Sequence, residues 1–411
     1  MSGYSARTHP SDGVATDLWT KALALEDPKG GRVVIVTMDL VGIPRSISDT
    51  VAARVQKKYG LERSNIVFNC SHTHTGPVVW PNLSTMFDLT PEQQRVVDAY
   101  ARKLTEDLFT VVGSALADLS PAELSVGHGS ADFAANRRQG RGKKLTIGVN
   151  PKGPVDHDVP VLKVISPDGK LRAVLFGYAC HNTTLTGEFY KISGDYAGYA
   201  QINLEQAHPG ATAMFMILCG ADQNPDPRSN FSFVERHGKE LSQAVETVLA
   251  APMKAVRTPI RAAYMTTELN FRPHTREQFE QEAKSDHKYK AARARAMLRA
   301  YDERSPVRRL TYPAQAIRLD KSFTLLALGG EVVVDYQLRA KREYPKENLM
   351  VAGYSNEVMC YIPSLRVLKE GGYEVIDSMI YYGQPGPLAE DVEDLVFDAI
   401  HKVMKRVGAG R

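Results

Sequence analysis

The sequence contains little of what builds disulfide scaffolds, membrane spans or nucleic-acid surfaces. Its 411 residues include four cysteines: Cys70, Cys180, Cys219 and Cys360 are too few for a disulfide framework and read as buried thiols. No apolar run approaches the roughly 20 residues that span a bilayer. The opening residues, Met1 to Arg7, show no charged region followed by an apolar one, so no secretory signal is read and the compartment stays open. Charge of one sign is scarce too. The 51 Lys and Arg face 47 Asp and Glu, leaving a net charge of +4, which argues against a nucleic-acid partner. The most basic stretch, Arg272 to Arg309, is broken by Glu277, Glu280, Glu282, Asp286, Asp302 and Glu303 and reads as a solvated helical face.

What remains is an ordinary globular composition, 43% hydrophobic and 24% charged, with chain enough for a substantial core. β-Branched and apolar runs at Arg32 to Leu40, Asn65 to Cys70, Val159 to Ile165, Leu171 to Cys180 and Ala211 to Cys219 predict buried strands, as do Ala314 to Leu319, Phe323 to Leu328 and Leu349 to Ala352. Helices are predicted over Ser46 to Tyr59, Pro91 to Leu119, Asp195 to Ala207, Ser232 to Ala250, Thr275 to Glu303, from Val333, and over Ala389 to Val407. This alternation predicts an α/β fold, a mixed β-sheet core covered by helices on both sides. One domain over 1–411 is expected, with a charged helical insertion at about 272–309. Ala134 to Pro154, rich in Gly, Arg and Lys, reads as a long functional loop.

Polar clusters follow the predicted strands, where sites of open α/β sheets sit. The first is Ser71-His72-Thr73-His74-Thr75-Gly76-Pro77. Residues two apart on an extended chain share a side, so His72 and His74 address one place, as metal ligands or as hydrogen-bonded loop histidines. Cys70 would share that face and is retained as a candidate; Cys180 and Cys360 would point away. The second cluster is His181-Asn182-Thr183-Thr184, leading to Ser193 or Asp195 as the cap of the next helix. The third is Cys219-Gly220-Ala221-Asp222-Gln223-Asn224-Pro225, the fourth Gly329-Gly330-Glu331, and the fifth runs from Asn356 to Pro363.

The strings NCSHTHTGP, GYACHNTTL, SGDYAGYA, LALGGEVVVDYQLR and VAGYSNEVMCYIP, in this order, resemble the catalytic domain of the neutral (alkaline, non-lysosomal) ceramidases from about Leu18 to about Gly386. The resemblance implies a zinc amidase that cleaves the N-acyl bond of a ceramide-like lipid, with one zinc per chain held by His72, His181, Glu331 and Tyr361. It also implies that His74, Arg137 and Tyr373 contact the substrate amide. Tyr361 and Tyr373 keep the family's spacing of twelve. Two imidazoles and a carboxylate would leave zinc a position for water, whose pKa falls to about 7 on the metal. Arg137 would polarise the scissile carbonyl, and His74 would move the proton to the leaving amine. As a phenol, Tyr361 is read equally as a ligand or as a hydrogen-bond donor beside the metal.

Three departures shape the expectation. Asn224 stands where the family carries its active-site serine, so a donor survives but the hydroxyl is gone. The family's strand ahead of Ser2-Gly3-Tyr4 and its C-terminal β-sandwich domain have no counterpart here. The partner expected is a small-molecule or lipid N-acyl substrate, with no nucleic acid and no transmembrane segment. Two alternatives stand beside it: a zinc deacylase or esterase on a polar substrate such as an acetylated sugar, and a binding protein without turnover.

Overall fold

A computed structural model describes residues 1–141 and 144–411. Its strands form three larger sheets and several two-stranded ones. In the three-stranded sheet, Thr20–Glu26 runs antiparallel to Arg32–Met38, which lies parallel to Ile66–Cys70. The five-stranded sheet has the order Thr212–Ile217, Leu171–Tyr178, Asp158–Ile165, Glu123–Ser130, Lys254–Ala255, and only its first pair is parallel. The four-stranded sheet joins Ile260–Asn270, Arg309–Leu319 and Phe323–Leu328 antiparallel, then adds Leu349–Ala352 in parallel.

Strand periodicity explains how these sheets stack, because side chains alternate between faces. Val33, Ile35 and Val67, Leu175, Met214 and Met216, and Phe323, Leu325 and Met350 meet in one core cluster drawn from all three sheets. The intervening residues face outward onto helices. Val34, Val36 and Phe68 pack with Val51, Val55, Leu104 and Leu108 of the helices Arg45–Tyr59 and Pro91–Ala117. Val174, Phe176 and Phe215 meet Ala200, Leu241 and Val245 of Asp195–Ala207 and Phe231–Ala250. Leu326 and Leu328 meet Tyr336, Ile400 and Val403 of Val334–Glu343 and Val392–Arg406. The mixed α/β core with helices on both sides is therefore present, with an additional feature: the sheets also face one another. An apolar strand buried on both faces has the same sequence whether a helix or a second sheet covers it.

Several boundaries differ from expectation. The 134–154 segment is not a plain loop. Ala134–Asn136 pairs with Gln223–Pro225, and Arg138–Arg141 forms a hairpin with Lys144–Ile147; Gly142 and Lys143 lie outside the described residues. The charged stretch divides into two helices, Arg276–Glu282 and Lys288–Asp302, capped by Thr275 and His287. Within it Arg293 is buried and donates to the carbonyls of Gln384 and Pro385, so that face is not wholly solvated. Gly194, not Ser193 or Asp195, holds the N-cap position, yet Ser193 Oγ accepts from Asp195 N at 3.1 Å, Asp195 Oδ1 from Tyr196 N at 2.6 Å and Asn182 Oδ1 from Ala197 N at 3.3 Å. Among the described residues no helix is long and apolar enough to cross a membrane.

Candidate metal centre

Loops from all three sheets converge where strands end. His72 follows the strand ending at Cys70, His181 the one ending at Tyr178, Asn224 the one ending at Ile217, and Glu331 the one ending at Leu328. One side chain stitches these ends together. Buried Asn69 accepts from Ile217 N at 3.0 Å and donates to Gly353 O at 2.8 Å and Ser355 Oγ at 3.1 Å, spanning three sheets. The backbone around the convergence is unusual for side-chain-bearing residues: His72, Asp195, Tyr354 and Asn356 have φ of 60°, 51°, 50° and 66°. Such conformations cost energy and cluster where surrounding structure holds a site in place.

His72 and His181 present their rings in the same manner. His72 Nδ1 donates to Val41 O at 2.5 Å, and His181 Nδ1 to Gly220 O at 2.9 Å. A backbone acceptor on Nδ1 leaves Nε2 with its lone pair, the arrangement that orients metal-binding histidines. Both Nε2 atoms face the same carboxylate oxygen, Glu331 Oε2, at 3.2 and 3.1 Å. Burial and then the Arg137 charge push the His181 pKa down to about 4, so its imidazole is neutral at pH 7. Lone pairs and a carboxylate thus face each other with Nε2 protons spent on neither ring, a contact that a cation between them relieves. Ligand atoms on a tetrahedral zinc, at roughly 2.0–2.1 Å from it, lie about 3.3 Å apart. The donor set fits that ion.

His74 comes to the same place by a different route from the one expected. The segment is not extended, since His72 is left-handed, yet the turn brings His74 Nε2 to 2.9 Å from His72 Nε2. His72, His74 and His181 offer nitrogens within 4.8 Å of one another. His74 differs in its anchoring: its Nδ1 is buried without a hydrogen-bond partner among the described residues. Packing holds it instead. The Tyr4 ring lies edge-on at 4.9 Å, and a Cβ at Gly3, where φ is 97°, would come 2.5 Å from His74 Cγ. Arg7 donates to the carbonyls of Ser2 and His74 at 2.6 and 2.7 Å, pinning this cover.

Arg137, Tyr361, Tyr373 and Asn224 complete the cluster. Arg137 Nη2 donates to Tyr361 Oη at 2.9 Å, and Nη1 lies 3.3 Å from His181 Nε2 and 3.4 Å from Asn224 Oδ1. Thr183 Oγ1 donates to the same Asn224 oxygen at 3.4 Å, which turns the amide nitrogen away from both donors. Tyr361 Oη lies 3.2 Å from His181 Nε2, and burial raises its pKa well above 10, keeping the phenol protonated. The Tyr373 ring stands edge-on to Tyr361 at 5.7 Å, with the Arg137 guanidinium 5.6 Å from each ring.

All eight residues singled out from the sequence thus fall in one cluster. Cys70 does not: its thiol packs among apolar side chains beside the helices, where burial raises its pKa. Three neighbours had no sequence signal. Tyr382 donates to Glu331 Oε1 at 2.5 Å, Tyr354 Oη lies 3.4 Å from Oε2, and Glu374 accepts from Arg137 Nε at 2.9 Å. Lone tyrosines look like core and a lone glutamate like surface, so none carries a spacing that marks a site. A cavity of about 20 Å³ lies beside the cluster, between Arg137, Leu145, Ile147 and Tyr373. A larger groove of about 540 Å³ between the helices Asp195–Ala207 and Phe231–Ala250 holds none of these groups.

Residues 1–234 match the family described as neutral/alkaline non-lysosomal ceramidase, N-terminal; His72, His74, Arg137, His181 and Asn224 fall inside that stretch, and Glu331, Tyr361 and Tyr373 beyond it. The neutral ceramidase of Pseudomonas aeruginosa is 27% identical over 218 residues, 50% of this chain and 31% of that protein. That of Mycobacterium tuberculosis is 24% identical over 242 residues, 56% of this chain and 37% of the relative. The matched stretch thus spans about a third of the length of these relatives. In fold, it superposes over 100% of its length on 72% of the crystal structure of the Pseudomonas aeruginosa neutral ceramidase, with a TM-score of 0.74 and 19% identity. A ceramidase complexed with C2 gives 0.72 and 18%, over 100% of this chain and 74% of the other. With more than half of its length matched, the chain belongs to the neutral/alkaline non-lysosomal ceramidase family.

Proposed function

We propose that this chain is a zinc-dependent amidohydrolase that cleaves the N-acyl bond of a ceramide-like lipid. The observation that carries the reading is the shared contact of His72 and His181 with Glu331 Oε2, at 3.2 and 3.1 Å, with both Nδ1 atoms bound to backbone carbonyls. These three residues would hold the metal, with Tyr361 as the fourth donor beside it. When bound, zinc supplies a Lewis acid and brings the pKa of its water to about 7.

The chain's own side chains account for the rest. The Arg137 guanidinium, fixed between Tyr361 and Asn224, presents a permanent charge to a substrate oxygen, where such donors stabilise developing negative charge. The amide nitrogen of Asn224, turned away from Arg137 and Thr183, is a second donor to that oxygen. His74, without an anchored Nδ1, is the group free to take a proton at Nε2 and deliver it to the leaving nitrogen. Burial and the neighbouring imidazoles hold its pKa well below the usual value, which favours the neutral, proton-accepting form. Tyr373 lines the same face.

The test is zinc-loaded protein incubated with a panel of N-acyl compounds, measuring amine release. Ceramide cleavage that stops on zinc removal supports the reading. Cleavage confined to acetylated sugars or esters would replace the lipid substrate while keeping the metal chemistry. Stoichiometric zinc with no hydrolysis of any panel member would leave a binding protein.

A further inference from the structure

The mechanism above uses Arg137 but not the buried array behind it. On an extended chain Arg137 and Arg138 would point opposite ways. Here the chain turns tightly at Arg138, since the Arg137 carbonyl accepts from Gln139 N at 3.1 Å as well as from Gly148 N at 2.9 Å. Both guanidiniums therefore reach one carboxylate. Glu374 Oε1 accepts from Arg137 Nε at 2.9 Å, and Oε2 accepts from Arg138 Nη1. Arg138 in turn donates from Nη2 to Glu370 at 3.1 Å and to Gly371 O at 2.8 Å. The side chains of Arg137, Arg138 and Glu374 are 6%, 2% and 3% exposed, so water does not compete for these contacts.

We propose that Glu374 is a positioning residue: it fixes the plane of the Arg137 guanidinium so that its two Nη groups face the reacting amide. This rests on the proposed role of Arg137. Two features set the array apart from an ion pair that only ties a hairpin to a helix. First, Glu374 meets Arg137 through Nε. An end-on pairing would occupy both Nη groups, whereas the Nε contact leaves them to Tyr361, His181 and Asn224. Second, the backbone is built to deliver this carboxylate. Gly371 and Gly372, with φ of 75° and 86°, are consecutive left-handed residues that suit glycine, and a Cβ on Gly372 would approach Leu145 Cβ to 3.3 Å. That turn places Tyr373 against Arg137 and Tyr361 and Glu374 beneath both arginines. The Glu374 charge also offsets a cation that lies 3.3 Å from His181 Nε2, a nitrogen assigned to the metal.

A double-mutant cycle on the full-length, zinc-loaded chain tests this, because residues acting as one unit lose activity non-additively. Wild type, Glu374→Gln, Arg137→Ala and the double variant are compared in kcat and KM on an N-acyl amide. Affinity for a short N-acyl hydroxamate, zinc content and melting temperature are measured alongside. Glu374→Gln is expected to lower kcat by roughly 10²-fold with little change in KM, the scale of a misplaced catalytic group, and the double variant to be no worse than Arg137→Ala. Losses that multiply, or a Glu374→Gln variant with normal kcat, overturn the proposal. If Glu374→Gln does not fold, Arg138→Lys takes its place in the cycle with the same outcomes. A wild type that cleaves no amide refutes the proposed function instead, and the cycle is then read from hydroxamate affinity.

Discussion

His74 separates two assignments that the distances alone leave equivalent. Its Nε2 lies 2.9 Å from that of His72, so three imidazoles are close enough to share an ion. The anchoring of Nδ1 breaks the tie: His72 and His181 donate to carbonyls, and His74 does not. His74→Ala is therefore predicted to retain zinc and a normal melting temperature while losing about 10²–10⁴ in turnover, the usual worth of positioned acid–base help. Zinc titration showing it as metal-poor as His72→Ala would make His74 a ligand. Asn224→Ala removes one donor to the substrate oxygen and should cost about 10²–10³ in kcat; unchanged kinetics would remove this loop from the chemistry. His72, His181 and Glu331 were legible as candidates because each follows an apolar strand, where a histidine or glutamate has few packing reasons to be; their reading as metal ligands came from the family resemblance. Tyr382, which holds the second oxygen of Glu331, was not legible, because a tyrosine in an apolar segment looks like core.

Strands and loops carry the next layer of the account. Asn69 sits inside an apolar strand run, with its amide groups spent on the backbones of two other sheets. Asn69→Leu would strand Ile217 N and Gly353 O, each a loss of about 1–3 kcal/mol, so denaturant unfolding should show several kcal/mol of destabilisation together with weaker zinc binding. A stable Asn69→Leu variant with wild-type zinc affinity would mean that the sheet ends are held by something else. Asp222 provides a pH test. It accepts from Val334 N at 2.9 Å and Asn136 Nδ2 at 3.2 Å, yet burial outweighs these bonds and raises its pKa from 3.8 to about 7. A group that binds its proton more tightly when folded contributes stability that is complete below its unfolded pKa and is lost as pH rises through the folded one. Metal-free protein should therefore lose stability between roughly pH 4 and 7 through Asp222, with less decline in Asp222→Asn. Equal slopes in the two proteins would contradict the shift. The long strands Glu123–Ser130 and Ile260–Asn270 escaped sequence reading because their exposed, mixed residues give no clean alternation, whereas Ile66–Cys70, buried throughout, and Thr212–Ile217, buried after Thr212, were found to within a residue or two.

At the scale of the molecule, three sheets facing one another and clad in helices bring distant parts of the sequence to one point. Sequence alone supplied the alternation but not the stacking, since burial on both faces does not say what lies across. The site lies where that stacking brings the strand ends together, with the segment Ser2 to Arg7 laid over His74. If zinc binds as proposed, holding loops from separate sheets, it stabilises the whole fold by about 2.7 kcal/mol at a free concentration 100 times Kd. The central claim is the metal itself, and elemental analysis of the purified chain tests it most directly. The account predicts about one zinc per chain, lost in His72→Ala and in His181→Ala with the fold retained in circular dichroism. Full zinc in both variants would contradict it.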